Sequence, residues 1–348
     1  RYPLLLLGGS DWSPKASESI EQFAGEYCLP VSCTFRRQNL INNSHDSYCG
    51  DVGIGVNPAL KSHILSSDLI IAVGPRLGEI TSSGYTLFQN SNLNKKLVHV
   101  HQGVEELGTV YSADLMINSG MEEFSSGLLK YEKNQIGKTW VEWTKKLRGD
   151  YLKTLQVGEL SEDFADLSLF VDKLKTKITP DAIITNGAGN YTGWVQRYWQ
   201  YSRAGAQLAP TSGAMGYGVP SGVAAGLLYP NKRVVSFSGD GCFLMNGQEL
   251  ATATQYGVKV LFVVVNNGMY GTIRLHQEKA YPARVYGTSL INPDFVALGK
   301  SYGLYAELIT HNDQINDTLD RVLSKDVSSL IEVKVDPQKI THRSVLPS

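Results

Sequence analysis

The chain has 348 residues, 42% of them hydrophobic and 19% charged, with a formal net charge of -1 at pH 7. That length exceeds one ordinary core and suits two domains of about 150 to 200 residues. The charge balance excludes a basic field for nucleic acid or an anionic membrane, and the longest apolar runs, LLLL at 4–7 and VLFVVV at 260–265, are too short to span a bilayer. No signal peptide is visible. Four cysteines without a CxxC pair (Cys28, Cys33, Cys49, Cys242) fit a reducing, cytoplasmic setting.

The sequence opens at Arg1 straight into an apolar strand, YPLLLLGG, which suggests a piece of something longer. Strand-like and helix-like segments then alternate: a strand at 3–8, an amphipathic helix at 15–27 with Ile20, Phe23, Ala24 and Tyr27 on one face, PVSCTF at 30–35, and a helix near 58–66. Strands follow at 68–74, 96–101 and 113–118, and helices at 121–130 and 139–155. The second half repeats the habit, with strands at 181–185, 205–209, 232–237, 258–265 and 329–335. Its helices fall at 191–199, 217–228, 243–256, 293–302 and 313–324. No repeat of 20–50 residues is present. Short apolar runs without clean alternation indicate strands buried on both faces of a parallel sheet. The expected fold is α/β, two tandem doubly wound domains with mainly parallel sheets, over 1–135 and 165–348. A helical linker spans 136–164, most polar around 156–164.

The stretch KRVVSFSGDG runs a strand into a Gly-Asp-Gly turn, and VKVLFVVVNNG ends the next strand in two asparagines. Ligands of open α/β sheets sit at the carboxyl ends of strands, so Asp240 and Asn267 are expected to meet at one edge. Gly239 and Gly241 permit a tight turn and close approach to a phosphate, and the helix that follows favours an anion at its N-terminus. A carboxylate, an amide oxygen and a backbone carbonyl are hard ligands suited to Mg²⁺ with diphosphate oxygens. GDG alone would read as a surface turn; the whole strand–GDG–helix–strand–NN series reads as a metal–diphosphate site.

GDG followed by NN at this spacing resembles the diphosphate-binding signature of thiamine diphosphate enzymes. TSGAMGYGVPSGVAAG (211–226), QELATATQYG (248–257) and GTSLINPDFVALGKSYG (287–303) resemble the acetolactate synthase group. HDSYCGDVGIGVNPAL (45–60) and DLIIAVGPRLGE (68–79) resemble its middle domain. The resemblance implies thiamine diphosphate and Mg²⁺ as cofactors, with Asp240 and Asn267 ligating the metal through side chains and Met269 through its carbonyl. Gly241 and Cys242, a position commonly serine in the family, would offer backbone N–H groups to the diphosphate, beside Gly239. Met215 matches the bulky apolar residue under the cofactor, and the Gly213 carbonyl and Met215 N–H would hold its aminopyrimidine. NGAGNYTGW (186–194) departs from the glutamine–histidine of acetolactate synthases; Gly187, Ala188, Gly189 and Asn190 would approach the phosphates. Tyr270, Thr272 and Gln277 would face cofactor or substrate.

The implied activity is decarboxylation of a 2-oxo acid with carboligation or protonation, in a homo-oligomer. The pyrimidine-binding domain would come from a missing region or another chain. No residue here is nominated for that domain's glutamate, and Glu249 reads as structural or as a charge in the N-terminal half of its helix. FAD on the first domain stays open: Arg76 is retained, while His99 and His101 replace an acidic pattern. That pair reads as surface or packing rather than as zinc ligands, and FRRQ (35–38) as a nucleotide contact or a solvated turn. Two alternatives stand beside this reading: a simple 2-oxo acid or oxalyl-CoA-type decarboxylase, and a non-catalytic nucleotide-binding protein that kept the fold.

Overall fold

The computed structural model describes residues 1–88, 95–131 and 137–346. The chain divides into two compact units, Arg1–Gln156 with Gln200–Gln207, and Val157–Trp199 with Leu208–Ser348.

The first unit contains β1 (Pro3–Leu7), α1 (Pro14–Glu26), β2 (Val31–Cys33), β3 (Tyr48–Asp51), α2 (Pro58–Ser66), β4 (Leu69–Val73), β5 (Lys96–His101), β6 (Leu115–Asn118), α3 (Met121–Leu128) and α4 (Lys138–Thr154). The strand order is β3-β2-β1-β4-β5-β6 and the registered pairs are parallel. This is a doubly wound order that reverses between β1 and β4. Helix α1 begins where Ser13 accepts the Ala16 amide at 3.1 Å and Pro14 takes a first-turn position that needs no N–H. Within the segment read as a linker, α4 buries Trp143 and Leu147 in the first unit's core beside Leu4, Leu6 and Ile70.

The second unit contains α5 (Leu167–Lys177), β7 (Ile183–Asn186), α6 (Thr192–Tyr198), β8 (Gln207–Leu208), α7 (Gly218–Leu228), β9 (Val234–Gly239), α8 (Asp240–Asn246), α9 (Leu250–Gln255), β10 (Val260–Asn266), α10 (Gly271–Ala280), α11 (Phe295–Ser301), β11 (Tyr305–Ile309), α12 (Ile315–Leu323) and β12 (Ser329–Lys334). Its strand order is β11-β12-β10-β9-β7-β8, again with parallel registered pairs. The unbroken apolar run of β10 follows from burial on both faces. Phe262 and Val264 pack with Phe243, Leu250, Phe295 and Leu330, while Leu261, Val263 and Val265 are buried as well.

The helix expected at 243–256 starts earlier, at Asp240, and a 3₁₀ turn at Gly247–Glu249 divides it into α8 and α9. The strands β3 and β11 and the helices α5 and α10 are additions to the expected elements. Among the described residues, no helix is long and apolar enough to cross a membrane.

Candidate functional site

In the second sheet the chain passes from β7 out to the edge strand β8 and returns to β9 on the other side of β7. The winding therefore reverses between β7 and β9, and such a reversal opens a crevice at the carboxyl ends of the strands. A cavity of about 230 Å³ lies there. Its walls come from the residues after β7 (Ala188, Gly189, Asn190), after β9 (Gly239, Asp240, Gly241, Cys242) and after β10 (Asn267, Met269, Tyr270), with Gly213 and Met215 from the loop before α7.

Asp240 is 3% exposed. Its Oδ1 accepts the Gly241 amide at 2.9 Å; its Oδ2 accepts the Gly268 amide at 2.9 Å and Asn292 Nδ2 at 2.8 Å. Burial pushes its pKa above the ordinary carboxylate value, and the hydrogen bonds from Asn292, Gly241, Gly268 and Met269 oppose that shift. The residues after β10 are pinned by the segment 288–292: Tyr270 N donates to Thr288 O and Leu290 N donates to Gly268 O, both at 2.8 Å. Asn267 Oδ1 accepts its own loop's Met269 amide at 3.3 Å, and Met269 O accepts Gly271 N at 3.0 Å. Asp240, Asn267 and Met269 thus line one cavity.

The glycines around them are set by close packing. A Cβ on Gly241 would fall 2.5 Å from Tyr270 Cε1, and one on Gly218 would fall 2.8 Å from Phe237 O. A Cβ on Gly187 would collide with Cys242 Sγ. That sulfur accepts the Gly216 amide at 3.2 Å and faces the Tyr191 hydroxyl at 3.6 Å, so the Cys242 side chain is engaged in packing the turn. Gly213 and Gly216 take positive φ of 76° and 80°, carrying the backbone past Met215, which is 36% exposed while lining the cavity.

Asn190 and Thr272 are joined, the Thr272 hydroxyl donating to Asn190 Oδ1 at 2.9 Å. Asn190 Nδ2 donates to Ile340 O at 2.9 Å, and Lys339 Nζ reaches Asp166 Oδ2 at 2.6 Å. The segment after β12 therefore forms part of the cavity wall, which nothing in the motifs foretold. Gly187 lies one residue behind the wall, and Gln277 bonds both backbone groups of Tyr286 at 3.0 Å instead of lining the cavity. Glu249 accepts the Thr252 hydroxyl at 2.7 Å and lies outside the cavity lining.

Sequence reasoning also missed Asn292 and Glu332, which stand behind Asp240. Asn266 Nδ2 donates to Glu332 Oε1 at 2.8 Å. Burial pushes the Glu332 carboxyl up, and the Asn266 hydrogen bond opposes the shift.

In the first unit, His99 is buried on β5 with Nε2 2.8 Å from Pro75 O, and the His101 ring lies 6.2 Å from it. Burial depresses the His99 pKa. Arg76 pairs with Glu106 at 2.8 Å, and Arg36 stacks 4.7 Å from the Phe35 ring centre. Among the described residues, no group of three or more His, Cys, Asp or Glu side chains is placed to hold a metal.

Comparison with known proteins brings the two units under one description. Residues 1–128 match the family profile "Thiamine pyrophosphate enzyme, central domain", and residues 187–333 match "Thiamine pyrophosphate enzyme, C-terminal TPP binding domain". The chain belongs to the thiamine pyrophosphate enzyme family. Within the family's TPP binding domain, the match begins at Gly187 and takes in the GDG turn, the NNG loop and Glu332. The chain is similar to the acetolactate synthase large subunit of Parasynechococcus marenigrum, 28% identical over 342 residues, covering 96% of this chain and 54% of that protein. It is 25% identical over 336 residues to the acetolactate synthase isozyme 2 large subunit of Escherichia coli, covering 96% and 60%. The acetolactate synthase large subunit of Corynebacterium glutamicum is 28% identical over 326 residues, covering 90% and 51%. The chain thus spans between half and three fifths of the length of these family members.

Proposed function

We propose that this chain carries the diphosphate- and metal-binding half of the active site of a thiamine diphosphate- and Mg²⁺-dependent enzyme of acetolactate synthase type, acting on 2-oxo acids by decarboxylation with carboligation. The observation that carries this reading is the convergence of Asp240, Asn267 and Met269 with Gly239 and Gly241 on one cavity at the strand-order reversal.

The donor set fits the group. Asp240, the Asn267 side-chain oxygen and the Met269 carbonyl offer hard oxygens to Mg²⁺, leaving room for phosphate oxygens to complete the shell. Gly241 and Cys242 occupy the first turn of α8, where backbone N–H groups favour an anion; the Gly241 amide already donates to Asp240 Oδ1 at 2.9 Å. With Cys242 Sγ held by Gly216 and Tyr191, the Cys242 contribution is its backbone N–H. Ala188, Gly189 and Asn190 close on the same space from β7, and Gly187 packs under Cys242. Met215 would supply apolar support for the rings of the cofactor, and the Gly213 carbonyl and Met215 N–H would hold its aminopyrimidine. Tyr270 and Thr272 line the same cavity and would contact cofactor or substrate.

When bound, thiamine diphosphate supplies an electron sink for decarboxylating a 2-oxo acid. The chain's own residues bind, orient and exclude water. We read 1–135, with α4 packed into its core, as the middle domain, the stretch after α4 up to 164 as the connection and 165–348 as the cofactor domain of a cytoplasmic homo-oligomer. The pyrimidine-side half of the site comes from outside these residues.

Product analysis tests the reaction. The intact protein, given thiamine diphosphate, Mg²⁺ and ¹³C-labelled 2-oxo acids, should release CO₂ and form a 2-hydroxy ketone or acetohydroxy acid. Free aldehyde as the sole product would replace this reading with a simple decarboxylase, and no turnover of any 2-oxo acid would overturn it.

A further inference from the structure

A carboxylate buried inside a sheet is costly unless it is paired and hydrogen-bonded. Glu332 is 4% exposed, on β12, and pairs in register with Val264 of β10. It shares a face with Leu330, which belongs to the apolar core. Asn266 Nδ2 donates to its Oε1 at 2.8 Å.

That one bond sets the polarity of a chain of groups. A carboxylate oxygen facing an amide calls for the amide's N–H, so Asn266 turns Nδ2 to Glu332 and presents Oδ1 in the opposite direction. Asn266 Oδ1 then accepts the Gly268 amide at 3.0 Å and Asn292 Nδ2 at 2.9 Å. Asn292 is thereby fixed with its NH₂ group inward, and the same Nδ2 donates to Asp240 Oδ2 at 2.8 Å. Flipping either amide would set two acceptors against each other. The outcome at Asp240 is asymmetric: Oδ2 takes donors from Asn292 and Gly268, while Oδ1 takes Gly241.

We propose that Glu332 is a positioning residue for the metal site, acting through Asn266 and Asn292 to fix the Asp240 carboxylate and the loop that carries Asn267 and Met269. This rests on reading Asp240 as a metal ligand, and the experiment separates the two claims. Outer-shell partners that orient a ligand contribute to metal affinity even without touching the metal.

The test is Mn²⁺ affinity by electron paramagnetic resonance on the intact protein with saturating thiamine diphosphate, alongside the melting temperature of the metal-free protein. Asp240→Ala is the control: if Mn²⁺ binding survives it, the ligand assignment itself fails. Glu332→Met should weaken Mn²⁺ by ~10–100-fold. Asn266→Asp should do the same by opposing two carboxylates. The double variant Asn266→Asp with Glu332→Gln restores a donor facing an acceptor, and should recover affinity to within about threefold of wild type. A purely structural role would lower the melting temperature and leave the Mn²⁺ affinity of the folded protein unchanged, and that result overturns the proposal. A double variant no better than Asn266→Asp also overturns it, and this pair keeps the test decisive if Glu332→Met does not fold.

Discussion

The Gly268 amide donates to Asp240 Oδ2 at 2.9 Å, across 28 residues of sequence. This bond ties the end of β9 to the end of β10, adjacent parallel strands that pair Val265 with Gly239. An aspartate in a Gly-Asp-Gly turn and a double asparagine a helix and a strand later are thus two halves of one edge. The bond also holds a buried carboxylate in a fixed orientation, the preorganisation that the proposed ion site requires.

Asp240 gives a pH signature in the metal-free protein. Its folded pKa is raised, first by burial. A raised folded value means the folded state holds the proton more tightly than the unfolded chain. The stability from this group is then full below the ordinary carboxylate value and lost as pH rises through the folded value. Melting temperatures of wild type and Asp240→Asn, followed upward from the ordinary carboxylate range, should show the wild type losing ground to the variant. Mg²⁺ with thiamine diphosphate should reverse that loss in the wild type alone.

Gly218 opens α7, and its Cβ would fall 2.8 Å from Phe237 O and 3.0 Å from Gly187 N. Both are backbone atoms, so no side-chain rotation relieves the clash. Gly218→Ala should destabilise the protein by about 1–3 kcal/mol, read by urea unfolding, and should disturb the 187–190 loop.

Met215 should behave in the opposite manner. At 36% exposure it contributes little to the core. Met215→Ala should change unfolding free energy by no more than about 0.5 kcal/mol while lowering turnover in the intact protein. Equal losses of stability and activity would return Met215 to the role of a packing residue.

Phe243 follows the GDG turn by two residues and meets Phe295 edge-on, with ring centres 5.5 Å apart. It is 1% exposed. Phe243→Ala should cost about 3–5 kcal/mol by denaturant titration, because the cavity it leaves lies within the core cluster of the second unit.

The parallel α/β architecture was legible in the sequence because buried strands write themselves as short apolar runs, and β10 is the clearest case. The additional elements carried weaker signals for distinct reasons. β3 is four residues with a glycine and an aspartate. β11 is a sheet edge whose Glu307 pairs with Arg321, so a charge interrupts its apolar pattern. α10 buries no side chain and shows no core-facing stripe. α5 did carry a signal, an Asp166 cap followed by Leu167, Phe170, Val171 and Leu174 at helical spacing. At the site, the groups carried by the GDG and NNG motifs were readable because they are local. Asn292 lies 52 residues from Asp240, and Glu332 lies 66 residues from Asn266. Their contribution depends on strand pairing and amide orientation, which no local spacing encodes. The Ile340 and Lys339 contacts of the terminal segment were hidden for the same reason.

The central claim, that Asp240 anchors a metal–diphosphate site, is tested most directly by calorimetric titration of thiamine diphosphate into the intact protein, with Mg²⁺ and with EDTA, for wild type and Asp240→Ala. Binding that requires Mg²⁺ and disappears in Asp240→Ala is the predicted result. Absence of binding in the wild type, or binding indifferent to both EDTA and the substitution, would contradict the account.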